Sequence, residues 1–199
     1  YGLQGKFDFS EKIFKKLMLL QPNSLGLKNV LMSVYMSTSQ FEKALKIAEE
    51  LKKLEPEVSS HHHMCGNALI QIGRKDEAKK SFFKAIEVNP KSERSYYNIA
   101  VILGEDKLYN EAIEYLDKVI EINPEWRSGY RQKLFMLYRN LDIDAFLSCV
   151  DSYKTKIPVD IHIAALTELV AHQEGKENDY PFCPNPMDYV QEVYLRDYT

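Results

Sequence analysis

Cysteine is scarce in this chain. Three stand in 199 residues, Cys65, Cys149 and Cys183, an odd number set far apart. Such a set argues against a disulfide framework and reads as reduced thiols, so a cytoplasmic setting is expected. No apolar run approaches the length of a membrane span, and no membrane partner is expected. Neither sign of charge dominates: Lys and Arg number 26, Asp and Glu 29, for a net charge of −3. A general nucleic-acid binder would be clearly basic, so that partner class is set aside as well. A Gly-rich phosphate loop and a nucleophile elbow are both missing, and Cys183 has no second cysteine nearby. Three histidines run together at His61, His62 and His63. Consecutive helical residues point about 100° apart, so the three rings cannot easily share one ion. No metal, no cofactor and no catalytic residue is expected in this stretch of protein.

What the chain does have is a period. Pro22, Pro56, Pro90, Pro124 and Pro158 stand 34 residues apart, and the remaining prolines, Pro181, Pro184 and Pro186, crowd near the end. Proline ends helices because it lacks an N–H and clashes with the preceding turn. A stop signal at a fixed spacing means one helical unit is repeated. With each proline taken as position 32, position 1 falls on Leu25, Ser59, Glu93 and Arg127. Position 20 then holds Ala44, Ala78, Ala112 and Phe146, and position 8 holds Met32, Gly66, Ala100 and Leu134. Small residues at these two places let antiparallel helices approach closely. The composition, 45% apolar and 28% charged, is that of an ordered chain able to fill a core.

The segments Phe41-Glu42-Lys43-Ala44, Lys75-Asp76-Glu77-Ala78 and Tyr109-Asn110-Glu111-Ala112 open a second helix in three successive units. Together with the period, they make residues 1 to about 174 resemble the tetratricopeptide repeat family. The resemblance implies an all-α fold, a right-handed superhelical solenoid of helix-turn-helix units. Complete repeats are expected at 25–58, 59–92 and 93–126, and an atypical one at 127–160. There Leu134, Phe146 and Tyr153 replace small residues, and their bulk should splay the helix pair. Terminal repeats of solenoids are often atypical because they cap the stack. Residues 1–24 read as a first repeat lacking most of its first helix, with Gly5, Phe7 and Phe14 in register. The expectation is therefore a fragment of a longer protein. Residues 161–175 read as an additional helix, and 176–199 as a proline-rich segment followed by a capping or connecting helix.

In this family the first helix of each unit faces a concave groove, at positions 2, 5, 9, 12 and 13. The resemblance then nominates Asn29 and Ser33, His63 and Asn67, Arg94 and Tyr97, and finally Arg131, Phe135, Tyr138 and Arg139. The first half of this groove is polar and nearly neutral; the second interleaves arginines with aromatic rings. Arginine forks bind carboxylates and ring faces hold apolar or cationic groups. The expected partner is a protein or extended peptide, acidic with hydrophobic residues. Chaperone-binding members of the family grip a C-terminal carboxylate with a Lys/Asn/Arg set. Here those places hold Asn29, Ser33, Asn67, Arg94 and Asn98, and only Asn67 and Arg94 fit, so that clamp is not expected. The alternative reading is the non-catalytic arm of a larger enzyme of glycosyltransferase, sulfotransferase or oxygenase type. Self-association through the incomplete first repeat is a further expectation.

Overall fold

The computed structural model describes residues 12–14, 16, 17, 19–21, 24–156 and 160–175. Pro22, Pro158, Cys183 and the expected segment at 176–199 lie outside the described residues, as does most of the expected first repeat. The described residues are helical, with no strand among them. The helices are α1 (Leu25–Ser37), α2 (Phe41–Leu54), α3 (Ser59–Gln71), α4 (Lys75–Val88), α5 (Glu93–Glu105), α6 (Tyr109–Ile122), α7 (Arg127–Arg139), α8 (Ile143–Lys154) and α9 (Ile161–Glu174). The chain divides into two compact units, residues 1–95 and 96–199.

The turns explain the short helices. After each of α1, α3, α5 and α7 one residue takes a left-handed conformation: Ser39, Gly73, Lys107 and Leu141, with φ of 57°, 78°, 63° and 59°. These four also stand 34 residues apart. Each closes the same helix end. The N–H of the next residue reaches back to the carbonyl five residues earlier, as in Gln40 to Tyr35 at 2.9 Å, Arg74 to Leu69 at 2.9 Å, Leu108 to Leu103 at 2.9 Å and Asp142 to Leu137 at 3.1 Å. This is the Schellman arrangement, which satisfies carbonyls that the helix leaves open. It reverses the chain within three residues, so the flanking helices run antiparallel.

In residues 1–95, α1 packs on α2, α2 on α3 and α3 on α4. Ala44, Ala48, Ala78 and Ala85 have no solvent exposure, and α3 and α4 approach most closely. Gly66 makes that approach possible, because a Cβ there would lie 2.5 Å from the Phe82 ring. His61, His62 and Cys65 are buried in α3, and His62 Nε2 lies 2.7 Å from the Pro56 carbonyl. Before α1, Ile13, Leu17, Leu19 and Leu20 are exposed.

In residues 96–199, α6 packs on α7, and α7 on α8 over much less of the backbone. The space between α7 and α8 is filled by side chains. Tyr130, Leu134, Phe146, Val150 and Tyr153 form one core with Ile163, Ala164 and Val170 of α9. The Tyr130 and Tyr153 rings meet at 4.8 Å, tilted 56°. Helix α9 lies against both α7 and α8. It ends on Gly175, at φ 64°. Asp160 begins it and ties the three helices together: it accepts from Tyr153 Oη at 2.6 Å and from the N–H groups of His162 and Ile163.

Candidate functional site

The nominated residues of the first unit form two polar pairs, each spaced i, i+4 along one helix face. On α1, Ser33 Oγ donates to the Asn29 carbonyl at 3.0 Å. On α3, Asn67 Nδ2 lies 3.1 Å from His63 Nε2, and His63 Nδ1 lies 3.0 Å from Ser95 Oγ. Ser95 in turn meets Ser92 Oγ at 2.9 Å. With Asn67 donating to Nε2, the ring proton sits on Nδ1 and is given to Ser95. The His63 ring also lies 5.5 Å from that of Phe82. Burial first, and then the charge of Arg94, lower the His63 pKa to about 4. At neutral pH this ring carries no charge, so only exposed Arg94 supplies a cation among the five nominated residues of this unit.

The second unit is different. Tyr97 and Trp126 hold their rings 5.1 Å apart, and burial raises the Tyr97 pKa. Phe135 is half-buried on α7. Tyr138 is half-buried against the α7–α8–α9 core, and its hydroxyl accepts from Gln173 Nε2 at 3.3 Å. Arg139 is exposed, lies 5.9 Å from the centre of the Tyr109 ring and donates to that hydroxyl at 3.3 Å.

Arg131 departs from the expectation of a groove arginine that meets a ligand. Its guanidinium is committed to Asp160, with Nε at 3.0 Å from Oδ2 and Nη2 at 3.0 Å from Oδ1. The Arg131 side chain keeps 37% exposure, while that of Asp160 has none. A buried carboxylate needs a partner, and a two-pronged guanidinium supplies it. Burial alone would raise the Asp160 pKa. Hydrogen bonds from Tyr153 and Arg131, with the Arg131 charge and the Ile163 N–H, outweigh it and hold the group below its ordinary value. Arg131 is thus framework for α9. The partner lies 29 residues along the chain, beyond any local motif.

The structure also joins Gly104, Glu105 and Met136 to the nominated Phe135 and Arg139. A cavity of about 360 Å³ opens in the second unit. It is lined from α5 by Val101, Gly104 and Glu105, and from α7 by Phe135, Met136 and Arg139. Lys107, Tyr109 and Gln132 complete its wall. Gly104 and Glu105 occupy positions 12 and 13 of their unit, so the signal was present in the register. No cluster of three metal-ligating side chains occurs among the described residues. No helix among them is long and apolar enough to cross a membrane.

These features define a class first: an all-α protein of short antiparallel helix pairs on a 34-residue template. The family follows from comparison. Residues 62–92 and 93–125 each match the tetratricopeptide repeat, so these two units are repeats of that family. Over 127 residues it is 27% identical to an Hsp70-Hsp90 organizing protein of Triticum aestivum, which covers 64% of this chain and 20% of that protein. Over 177 residues it is 27% identical to lipopolysaccharide assembly protein B of Haemophilus influenzae, covering 86% of this chain and 45% of that one. Among solved structures, YrrB, described as a TPR protein with an unusual peptide-binding site, superposes with a TM-score of 0.67 at 16% identity and 92% coverage of each chain. That likeness concerns the fold. The chain spans less than half the length of the curated relatives it matches.

Proposed function

We propose that this chain is a protein-interaction scaffold that holds an extended peptide or partner surface against the first helices of its repeats. The observation that carries this reading lies within residues 96–199. There α5 and α7 offer Tyr97 with Trp126, then Phe135, then Arg139 over Tyr109, beside an open cavity. Aromatic faces and arginine are the groups that anchor protein interfaces most often. The first unit offers an internally bonded polar face instead, with Arg94 its one nominated cation, which suits contact without aromatic anchoring. An Hsp70-Hsp90 organizing protein among the relatives supports a scaffold role. The carboxylate-gripping set of chaperone-binding tetratricopeptide repeats is matched here only at Asn67 and Arg94, and Asn67 is engaged with His63. An internal acidic and hydrophobic segment therefore suits this face better than a chain terminus.

The test is affinity capture with this chain as bait, beside a Tyr97→Ala, Phe135→Ala variant whose helicity and melting are first compared. Arg131 stays untouched, because its loss would unseat Asp160. The expected result is a set of proteins, identified by mass spectrometry, held by the parent and lost by the variant. An unchanged set on both baits would overturn the placement of binding on this face. An empty parent bait would count against the scaffold reading itself.

A further inference from the structure

The cavity of the second unit has a shape and a chemistry of its own. On α5, Val101, Gly104 and Glu105 recur at i, i+3 and i+4; on α7, Gln132, Phe135, Met136 and Arg139 recur at i, i+3, i+4 and i+7. Each set is therefore one stripe of its helix, and the two stripes face one space. The inner wall is apolar: Met136 is buried, and Val101 and Phe135 are half-buried. The exposed rim carries two cations, Lys107 and Arg139, against one carboxylate, Glu105. At about 360 Å³ the space is near the lower end of the roughly 300–1,000 Å³ of small-molecule pockets. That suits one bulky side chain and the backbone beside it.

Gly104 and Met136 share one wall of that space. A Cβ built there would overlap Met136 Cε and lie 2.7 Å from its Sδ. The thioether end of Met136 fills the volume that any side chain at 104 would take. Methionine is unbranched and adaptable, so a larger residue at 104 would push that end aside instead of breaking the helix pair. Since Met136 lines the cavity, moving its end would reshape that wall.

We propose that this cavity is an anchor subsite for one bulky apolar side chain of an extended acidic segment, with Gly104 and Met136 sharing one of its walls. The proposal rests on the reading of the chain as a peptide-binding scaffold. The apolar wall selects the side chain. The cationic excess at the rim selects a carboxylate within a residue or two of it, because opposite charges across an interface steer association and fix register.

The experiment is selection from a random-peptide phage library on the purified chain, followed by titration of one enriched synthetic peptide against three variants. Enriched sequences should share an apolar residue next to Asp or Glu. Gly104→Ala should weaken the chosen peptide about tenfold, as expected for an anchor residue whose pocket wall is reshaped. Arg139→Gln should weaken it about threefold and flatten its dependence on salt. Phe135→Ala should shift the preference toward larger apolar side chains. Circular dichroism of each variant checks that the helices remain. A peptide bound by all three variants within about twofold of the parent overturns the subsite and leaves the scaffold reading standing. Enrichment of no sequence above background overturns both.

Discussion

The hairpins α3–α4 and α7–α8 occupy the same 34-residue template and fill it in opposite ways. At position 8 the first has Gly66 and the second Leu134; at position 20, Ala78 and Phe146; at position 27, Ala85 and Tyr153. At position 24 the order reverses, with Phe82 against Val150. All eight are buried. In the first hairpin the backbones come close and one ring, Phe82, closes over Gly66. In the second the backbones stand further apart and aromatic side chains fill the gap, with α9 laid over both. Position 5 differs in kind as well. His63 is neutral and hydrogen-bonded to Ser95, whereas Arg131 is ion-paired to Asp160. One template accepts either solution as long as total volume and polar satisfaction are kept. The difference teaches that the second hairpin fills its interior with α9, while α3 and α4 close directly on each other, with α2 packed on α3.

The largest effects come from exchanging the two solutions. Phe146→Ala should leave a void between α7, α8 and α9 and cost about 3–5 kcal/mol. Ala78→Phe should force α3 and α4 apart and cost about 1–3 kcal/mol or more, by overpacking a site with no free volume. Urea unfolding measures both. Hydrogen exchange then locates them: protection should fall in residues 127–174 for the first variant and in 59–88 for the second, since repeats couple chiefly to neighbours. A loss of protection spread evenly over the chain in either variant would break the comparison.

Much of this was legible in the sequence. The 34-residue proline spacing and the alanines at position 20 place helix starts at Leu25, Ser59, Glu93 and Arg127, where α1, α3, α5 and α7 begin. The left-handed turns were not legible, because only Gly73 among the four residues is glycine. The role of Arg131 was hidden for another reason. The resemblance makes position 5 an expected groove position, but the partner of Arg131, Asp160, is brought in by the packing of α9. Gly104 carries no signal of its own in the sequence. Its effect depends on where the Met136 side chain comes to rest, which no local pattern records.

Position 5 also predicts a difference in acid response. The folded His63 pKa of about 4 lies below the ordinary 6.5, so the fold favours the neutral ring. Between those values the unfolded chain binds the extra proton, and stability falls with pH. The contribution is complete above about 6.5 and gone near 4, and amounts to no more than about 3 kcal/mol. The Asp160 carboxyl is held below its ordinary value, so the Arg131 pair is lost only at still lower pH. Lowering the pH from about 7 to 4.5 should therefore loosen residues 59–95 before residues 127–174. His63→Asn should remove most of that early loss, as read from urea midpoints across the range. The same pH slope in parent and variant would show that the His63 ring is not the cause.

The smallest effect concerns the turns that both hairpins share. Leu141 sits at φ 59° and is 81% exposed, while Gly73 occupies the same place in the first hairpin at φ 78°. A side chain with a Cβ pays a steric cost of about 1–2 kcal/mol in this conformation, and glycine does not. Glycine loses more backbone entropy on folding, which offsets part of the gain. Leu141→Gly should accordingly stabilise by about 0.5–1 kcal/mol, because the exposed side chain contributes little packing of its own. Gly73→Leu should do the reverse by a similar amount. If the two substitutions moved the urea midpoint in the same direction, the left-handed turn would not be the feature that the hairpins hold in common.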